Sequence, residues 1–275
     1  MSDVEVEQLG AVRLLTLNRP DTLNSISWPM AEALVGEIEA ANADPGTRVV
    51  LIRGAGRAFC AGYDAAGGTG VRPTVGQDAA KLRAMTQTWA RIWNAPIPVI
   101  AQVHGYCLAG GTDLASHCDL VVVADDARIG YPAVRSMGSP PSNMWLYHVG
   151  AQWAKRMLLT GDTITGRLAA RIGFALQSVP SDRLDQAATQ LAHRVAMVGS
   201  ELLAANKTVI NHGLDLMGRA QLQQVSSMAD AIGHQAPETL EFWRVATEEG
   251  LRTALKQRDD PFRGAEPLDV EDVFG

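Results

Sequence analysis

One carboxylate, Asp113, closes a glycine turn, "LAGGTD" at 108–113, and a similar turn, "FCAGYD" at 59–64, precedes it by about fifty residues. Both turns follow apolar runs. A glycine turn at a strand end lets backbone come close to a ligand. Two such turns can aim two N–H groups at one oxygen, which is the chemistry of an oxyanion hole: charge developing on an acyl carbonyl is held by donors already in place. An acidic residue, Asp113, ending the second turn strengthens that reading. The other chemistry-bearing residues form weaker patterns. Cys60, His104, Cys107, His117 and Cys118 match no zinc spacing. "RGAGRAF" at 53–59 begins like a dinucleotide fingerprint, but Phe59 stands at its third glycine position and another glycine turn follows instead of a helix, so neither a nicotinamide cofactor nor a reductase is expected. The chain contains no G-x-S-x-G elbow and no S-x-x-K pair.

The elements that must position these turns are legible as apolar runs bounded by Gly, Pro, Asn or Asp. "VRLLTLN" at 12–18, "VVLIRG" at 49–54, "PVIAQVHG" at 98–105 and "DLVVVADD" at 119–126 read as buried strands. Between them "SWPMAEALVGEIEAA" at 27–41 reads as a helix capped by Ser27, and "AAKLRAMTQTWARIWNA" at 79–95 as a second one. Strands alternating with helices imply a layered α/β fold with right-handed crossovers. Beyond residue 140 the pattern turns helical, at 144–161, 183–199 and 237–258. The segment 65–78, with four glycines and no periodicity, reads as a loop beside the first turn.

Composition bounds the partners. The chain has 275 residues, 47% hydrophobic content and a net charge of −6, with Lys and Arg scattered, so nucleic acid is not an expected partner. No run of eighteen apolar residues marks a membrane span. The acidic start "MSDVEVEQLG" does not read as a secretory signal, and three cysteines cannot form a full disulfide framework; a reduced cytoplasm is expected.

Long stretches resemble the crotonase family, also called the enoyl-CoA hydratase/isomerase family. These are "VRLLTLNRPDTLNSIS", "GAGRAFCAGYD", "PVIAQVHGYCLAGGTDLASHCDLVVVADDARIGYP", the segment from Met157 beginning "MLLTGD", and "EGLRTALKQRDDPF". The resemblance implies a spiral core of ββα repeats over residues 1–200 and a C-terminal helical region, 201–275, that caps the core and mediates trimers or pairs of trimers. It implies an acyl-CoA thioester as substrate, with no separate cofactor and no metal. By the same resemblance the amides of Tyr63 and Gly110 are the oxyanion donors and Asp113 the catalytic carboxylate. Ala61, Tyr63, Asp64, Gly110, Tyr131 and Arg135 would border the substrate. Ala66 stands where many relatives carry a basic residue, so no phosphate contact is implied there.

The chain also departs from the family's hydratases, which use two Glu residues around one water. Asp113 occupies the first of those positions, and Ala133, in the dipeptide Pro132-Ala133, occupies the second. Water addition asks for both a base and an acid. One carboxylate suits proton relocation within an enolate, as in double-bond isomerisation, or decarboxylation, where departing CO₂ generates the enolate. A pocket that binds acyl-CoA without turning it over is the alternative. Tyr131, Arg135, Ser139, Ser142, Asn143 and His148 are the polar residues near enough in sequence to replace the missing Glu, with Tyr131 and Arg135 nearest. His104 is expected to tune its turn.

Overall fold

The computed structural model describes residues 2–64, 72–262, 264 and 267–275. Two sheets form the scaffold. The larger has six strands in the order β1 (Val4–Leu9), β2 (Val12–Leu17), β3 (Val49–Gly54), β5 (Val99–Val103), β7 (Leu120–Ala124) and β10 (Gln177–Val179). Only the β1–β2 hairpin is antiparallel. The smaller sheet runs β4 (Ala58–Cys60), β6 (Tyr106–Leu108), β8 (Arg128–Gly130), β9 (Thr163–Thr165). The pairs β3–β4, β5–β6 and β7–β8 therefore each send one strand to each sheet before the chain crosses back. This repeat is the ββα spiral the sequence resemblance implied.

The long strands are buried on both faces, which is why they read as continuous Val/Leu/Ile runs instead of alternating patterns. Helices cover them. α1 (Trp28–Ala43) is capped by Ser27, whose hydroxyl accepts from the Met30 amide. α2 (Val75–Asn94) begins with a capping box between Thr74 and Gln77. The sequence reading left 75–78 in a loop, because Thr-x-x-Gln lies outside the apolar stripe; these residues form the first turn of α2. Residues 65–71 and Ala66 lie outside the described residues.

α3 (Gly110–His117) is short and wholly buried. After it come α4 (Trp145–Thr160), broken at Gly150, then α5 (Gly166–Ile172) and α6 (Leu184–Ala196). The helical end comprises α7 (Ser200–Leu216), α8 (Arg219–Gly233), α9 (Pro237–Glu248), α10 (Leu251–Asp259) and α11 (Val270–Phe274). The single helix expected over 237–258 is two, because Gly250 at φ +93° interrupts it. Lys207 of α7 stitches this part to the core. Its Nζ donates to the carbonyls of Ile92 and Ile97 and to Asp119 Oδ2, 2.8 Å away.

Candidate active site

The two glycine turns meet. A Cβ built on Gly62 would lie 3.2 Å from Ala109 Cβ and 3.6 Å from the Gly110 nitrogen, and one on Gly110 would lie 2.8 Å from the Tyr63 ring. Each loop therefore fits only because the other lacks a side chain at the contact. Gly111 is just as tight, since a Cβ there would overlap the Cys60 carbonyl.

The first turn is held from below by the segment "NRPDTLNS". Leu23 and Asn24 both adopt left-handed backbone, at φ 54° and 56°. The fully buried Asn24 accepts from the Arg19 amide and donates to the carbonyls of Ala55 and Ala58. The Leu23 carbonyl accepts from the Ala61 amide, and the Gly62 carbonyl and Asp64 amide pair with Ile26. This pairing turns the intervening Tyr63 amide the opposite way. Ala109, at φ 48° and ψ −120°, sits in a backbone region that normally requires glycine and opens α3 so that the Gly110 amide precedes the first helical turn. Neither the Tyr63 nor the Gly110 amide donates to a protein acceptor among the described residues. Both are donors at the junction of the turns, and one stands at a helix N-terminus, where the dipole favours negative charge.

Tyr63 joins this junction to Asp113. Its ring lies on Gly110, and its hydroxyl donates to Asp113 Oδ2 (3.1 Å) while accepting from Trp89 Nε1 (3.0 Å). The Tyr131 hydroxyl also reaches Asp113 Oδ2, at 3.4 Å, while the Ser142 hydroxyl donates to Oδ1. Asp113 is 1% exposed. Burial pushes its carboxyl up to about 7, against the opposing pull of the Ser142, Tyr63 and Tyr131 hydroxyls, and the charge of Asp230 pushes in the same direction as burial. A carboxyl poised there can give or take a proton near neutral pH. Burial, with Asp113 next, holds the Tyr63 phenol well above its ordinary value, so it remains a donor.

At the other end of α3, His117 Nδ1 is 2.7 Å from the Asp113 carbonyl, so Nδ1 carries the proton and Nε2 accepts from Gln223 Nε2 on α8. Burial keeps this imidazole neutral, at about 3. Arg219 donates to Gln223 Oε1, and its guanidinium lies over the Trp93 ring.

The structure thus brings Tyr63, Gly110, Asp113 and Tyr131 together, with Ala61 in the same turn. Asp64 lies one residue beyond, its carboxylate 2.8 Å from Arg19 Nη2. Arg135 is engaged by other partners. Its guanidinium donates to the Thr160 carbonyl and Asp259, lies 3.7 Å from Asp162 and covers the Phe262 ring. It ties the turn after β8 to the C-terminal helices. Of the residues offered in place of the missing Glu, Tyr131 and Ser142 reach Asp113. His148 is turned to the Ser116 carbonyl, and Ser139 meets Asp230 through its amide. His104 bonds the Gly56 carbonyl. Sequence reasoning gave no role to Trp89, Asn24, Gln223 or Asp230. Each is a polar side chain inside an apolar helix or turn, a signal that appears in sequence but does not say which neighbour satisfies it. The three thiols are free and buried, and burial pushes them up.

A parallel ββα spiral whose two glycine turns converge beside a buried carboxyl is the arrangement that the sequence resemblance implied. Comparison with known proteins agrees. The family described as "Enoyl-CoA hydratase/isomerase" matches residues 7–262. The 2,3-dehydroadipyl-CoA hydratase of Escherichia coli K12 is 32% identical over 273 residues, covering 96% of this chain and all of that one. An enoyl-CoA hydratase structure from Mycobacterium smegmatis superposes with a TM-score of 0.91 at 34% identity, over 97% of this chain and 96% of that one. An enoyl-CoA hydratase/isomerase from Xanthobacter autotrophicus Py2 gives 0.90 at 33%, over 96% and 99%. The chain belongs to the crotonase, or enoyl-CoA hydratase/isomerase, family.

Proposed function

We propose that this protein is an acyl-CoA-processing enzyme that relocates a double bond through a thioester enolate. The observation that carries the reading is the carboxyl of Asp113, poised at about 7 and joined through Tyr63 to two amides that donate to no acceptor among the described residues. The amides of Tyr63 and Gly110 hold the thioester oxygen. Asp113, ionised, takes a proton from C2 of a 3-enoyl ester, and the electrons of that C–H bond flow through the carbonyl carbon onto the oxygen. The protonated Asp113 returns the proton at C4, leaving the double bond between C2 and C3. Each oxyanion donor is worth about 10²–10³ in rate and the acid–base group about 10²–10⁴. Hydration is disfavoured because Ala133 offers no second carboxyl at its family position.

The test is turnover of 2-enoyl-, 3-enoyl- and malonyl-type CoA esters. Interconversion of 3-enoyl and 2-enoyl esters, lost by at least about 10²-fold in Asp113→Asn, is expected. Faster hydration than isomerisation, or an unimpaired Asp113→Asn protein, overturns the reading. CO₂ release alone would redirect it to decarboxylation through the same enolate. Acyl-CoA binding with no conversion would favour a binding protein. The exposed apolar residues of α7 and α8, among them Leu202, Val209, Ile210, Met228 and Ile232, support assembly with further copies of the chain, readable as mass in solution.

A further inference from the structure

Opposite Asp113, across the loop 136–143, lies a second buried charge cluster that the proposed reaction does not use. Asp230 of α8 is 3% exposed, and its Oδ1 accepts from the Ser139 amide at 2.7 Å. His234, one turn on, sits 2.6 Å from Asp78 Oδ2 through Nδ1 and 3.3 Å from Asp230 Oδ1 through Nε2. Gly138, at φ +123°, passes so close that a Cβ there would overlap Asp230 Oδ1 and stand 2.7 Å from His234 Nε2. The loop therefore has both ends of its polar contacts fixed: Ser139 on Asp230 and, three residues later, Ser142 on Asp113. Both ring nitrogens of His234 face carboxylates, so this is a closed ion cluster and not an open ligand set.

We propose that Asp230, clamped by His234, which Asp78 holds in turn, is a positioning residue for Asp113: it anchors the loop that carries Ser142 and places a second negative charge within reach of the catalytic carboxyl, in a site where Ala133 supplies none. The proposal rests on the reading of Asp113 as the proton carrier. The groups that bear on the pair come from several elements. Tyr63, Tyr131, Ser142, Cys60 and Cys107 surround Asp113. His234, Asp78 and the Ser139 amide surround Asp230, and Lys81 of α2 faces His234. Asp230 acts on Tyr131 as well as on Asp113. Its own carboxyl is raised, to about 6, chiefly by burial and against the charge of His234. His234 is raised because hydrogen bonding to Asp78 and the charges of both carboxylates outweigh the larger single effect of burial. From about pH 6 upward Asp230 is thus increasingly ionised, and Asp113 holds its proton more firmly than it would without that charge.

The decisive measurement is a carboxyl titration of the full chain by isotope-edited infrared spectroscopy, with the Asp113 band assigned by its loss in Asp113→Asn. In Asp230→Asn the side-chain oxygen still accepts from Ser139, but the charge is gone. The Asp113 midpoint is expected to move to lower pH by about half a unit or more. Amide exchange across 136–143 should be unchanged. In Asp230→Ala exchange at Ser139 should quicken as well. Asp230→Ser supplies the neutral variant if the amide form loses secondary structure. An Asp113 midpoint that stays in place in the neutral variants overturns the proposal. The titration needs no substrate, so an inactive wild-type protein would defeat the isomerase reading alone. In an active protein, the kcat limb lost in Asp113→Asn should move with the same sign.

Discussion

At the residue scale, α3 carries two buried titratable groups whose effects on stability oppose each other. Asp113 is raised to about 7 in the fold from an ordinary 3.8. The native state therefore binds its proton more tightly than the unfolded chain does, and stability falls as pH rises from about 4 to 7. His117 is lowered to about 3 from 6.5. The unfolded chain binds that proton more tightly, and stability rises between about pH 3 and 6.5. Over the shared range the two slopes offset. Asp113→Asn should expose the histidine's slope, giving a protein whose Tm climbs with pH, and His117→Asn should expose the opposite slope. Melting curves from pH 4 to 7 check both signs; parallel curves for the two variants would contradict the assignment. Tyr63→Phe tests the link between turn and carboxyl. It strands the Trp89 indole N–H, which costs about 1–3 kcal/mol, and the double variant with Trp89→Phe should recover part of that loss. Turnover should fall in both, because Asp113 loses a donor.

At the element scale, the glycine turns depend on parts that sequence periodicity does not report. The long strands and the capped helix α1 were legible because burial on both faces and Ser-x-Pro leave a local signature. The three-residue strands β4, β6, β8 and β9 were not, since each is specified by its neighbours in the second sheet. The roles of Tyr63, Gly110 and Asp113 came from family resemblance, whereas the Ser142 contact had no preferred standing among six candidates. Asn24 shows the limit well: its motif was readable, but its partners lie 31 and 34 residues away. Asn24→Ala leaves the Ala55 and Ala58 carbonyls and the Arg19 amide without that side chain. A loss of at least about 2 kcal/mol is expected in denaturant unfolding. Gly111→Ala should destabilise more than Gly76→Ala, because the first meets backbone at Cys60 and the second meets nothing within 4 Å.

For the whole molecule, the site depends on helices far along the chain. Gln223 and Asp230 of α8 reach the α3 histidine and the 136–143 loop, and Lys207 of α7 binds the core between α2 and β7. Asp119 is raised by burial despite that lysine, so removing the cation leaves a costly charge. Lys207→Met should lower stability by about 3–5 kcal/mol, and adding Asp119→Asn should restore much of it. If the two effects were simply additive in thermal melts, the buried pair would not be the stitch described.

Ala109 gives this design a direction. An alanine held in glycine's territory is under tension of about 1–3 kcal/mol. Substituting glycine would release it, and the folded protein would gain or at least keep stability. The same change frees the peptide plane that follows to swing, so the Gly110 amide would spend time aimed away from the place proposed for the thioester oxygen. A sturdier, slower protein is the expected outcome: here tension acts as a spring that keeps a donor cocked before any ligand arrives.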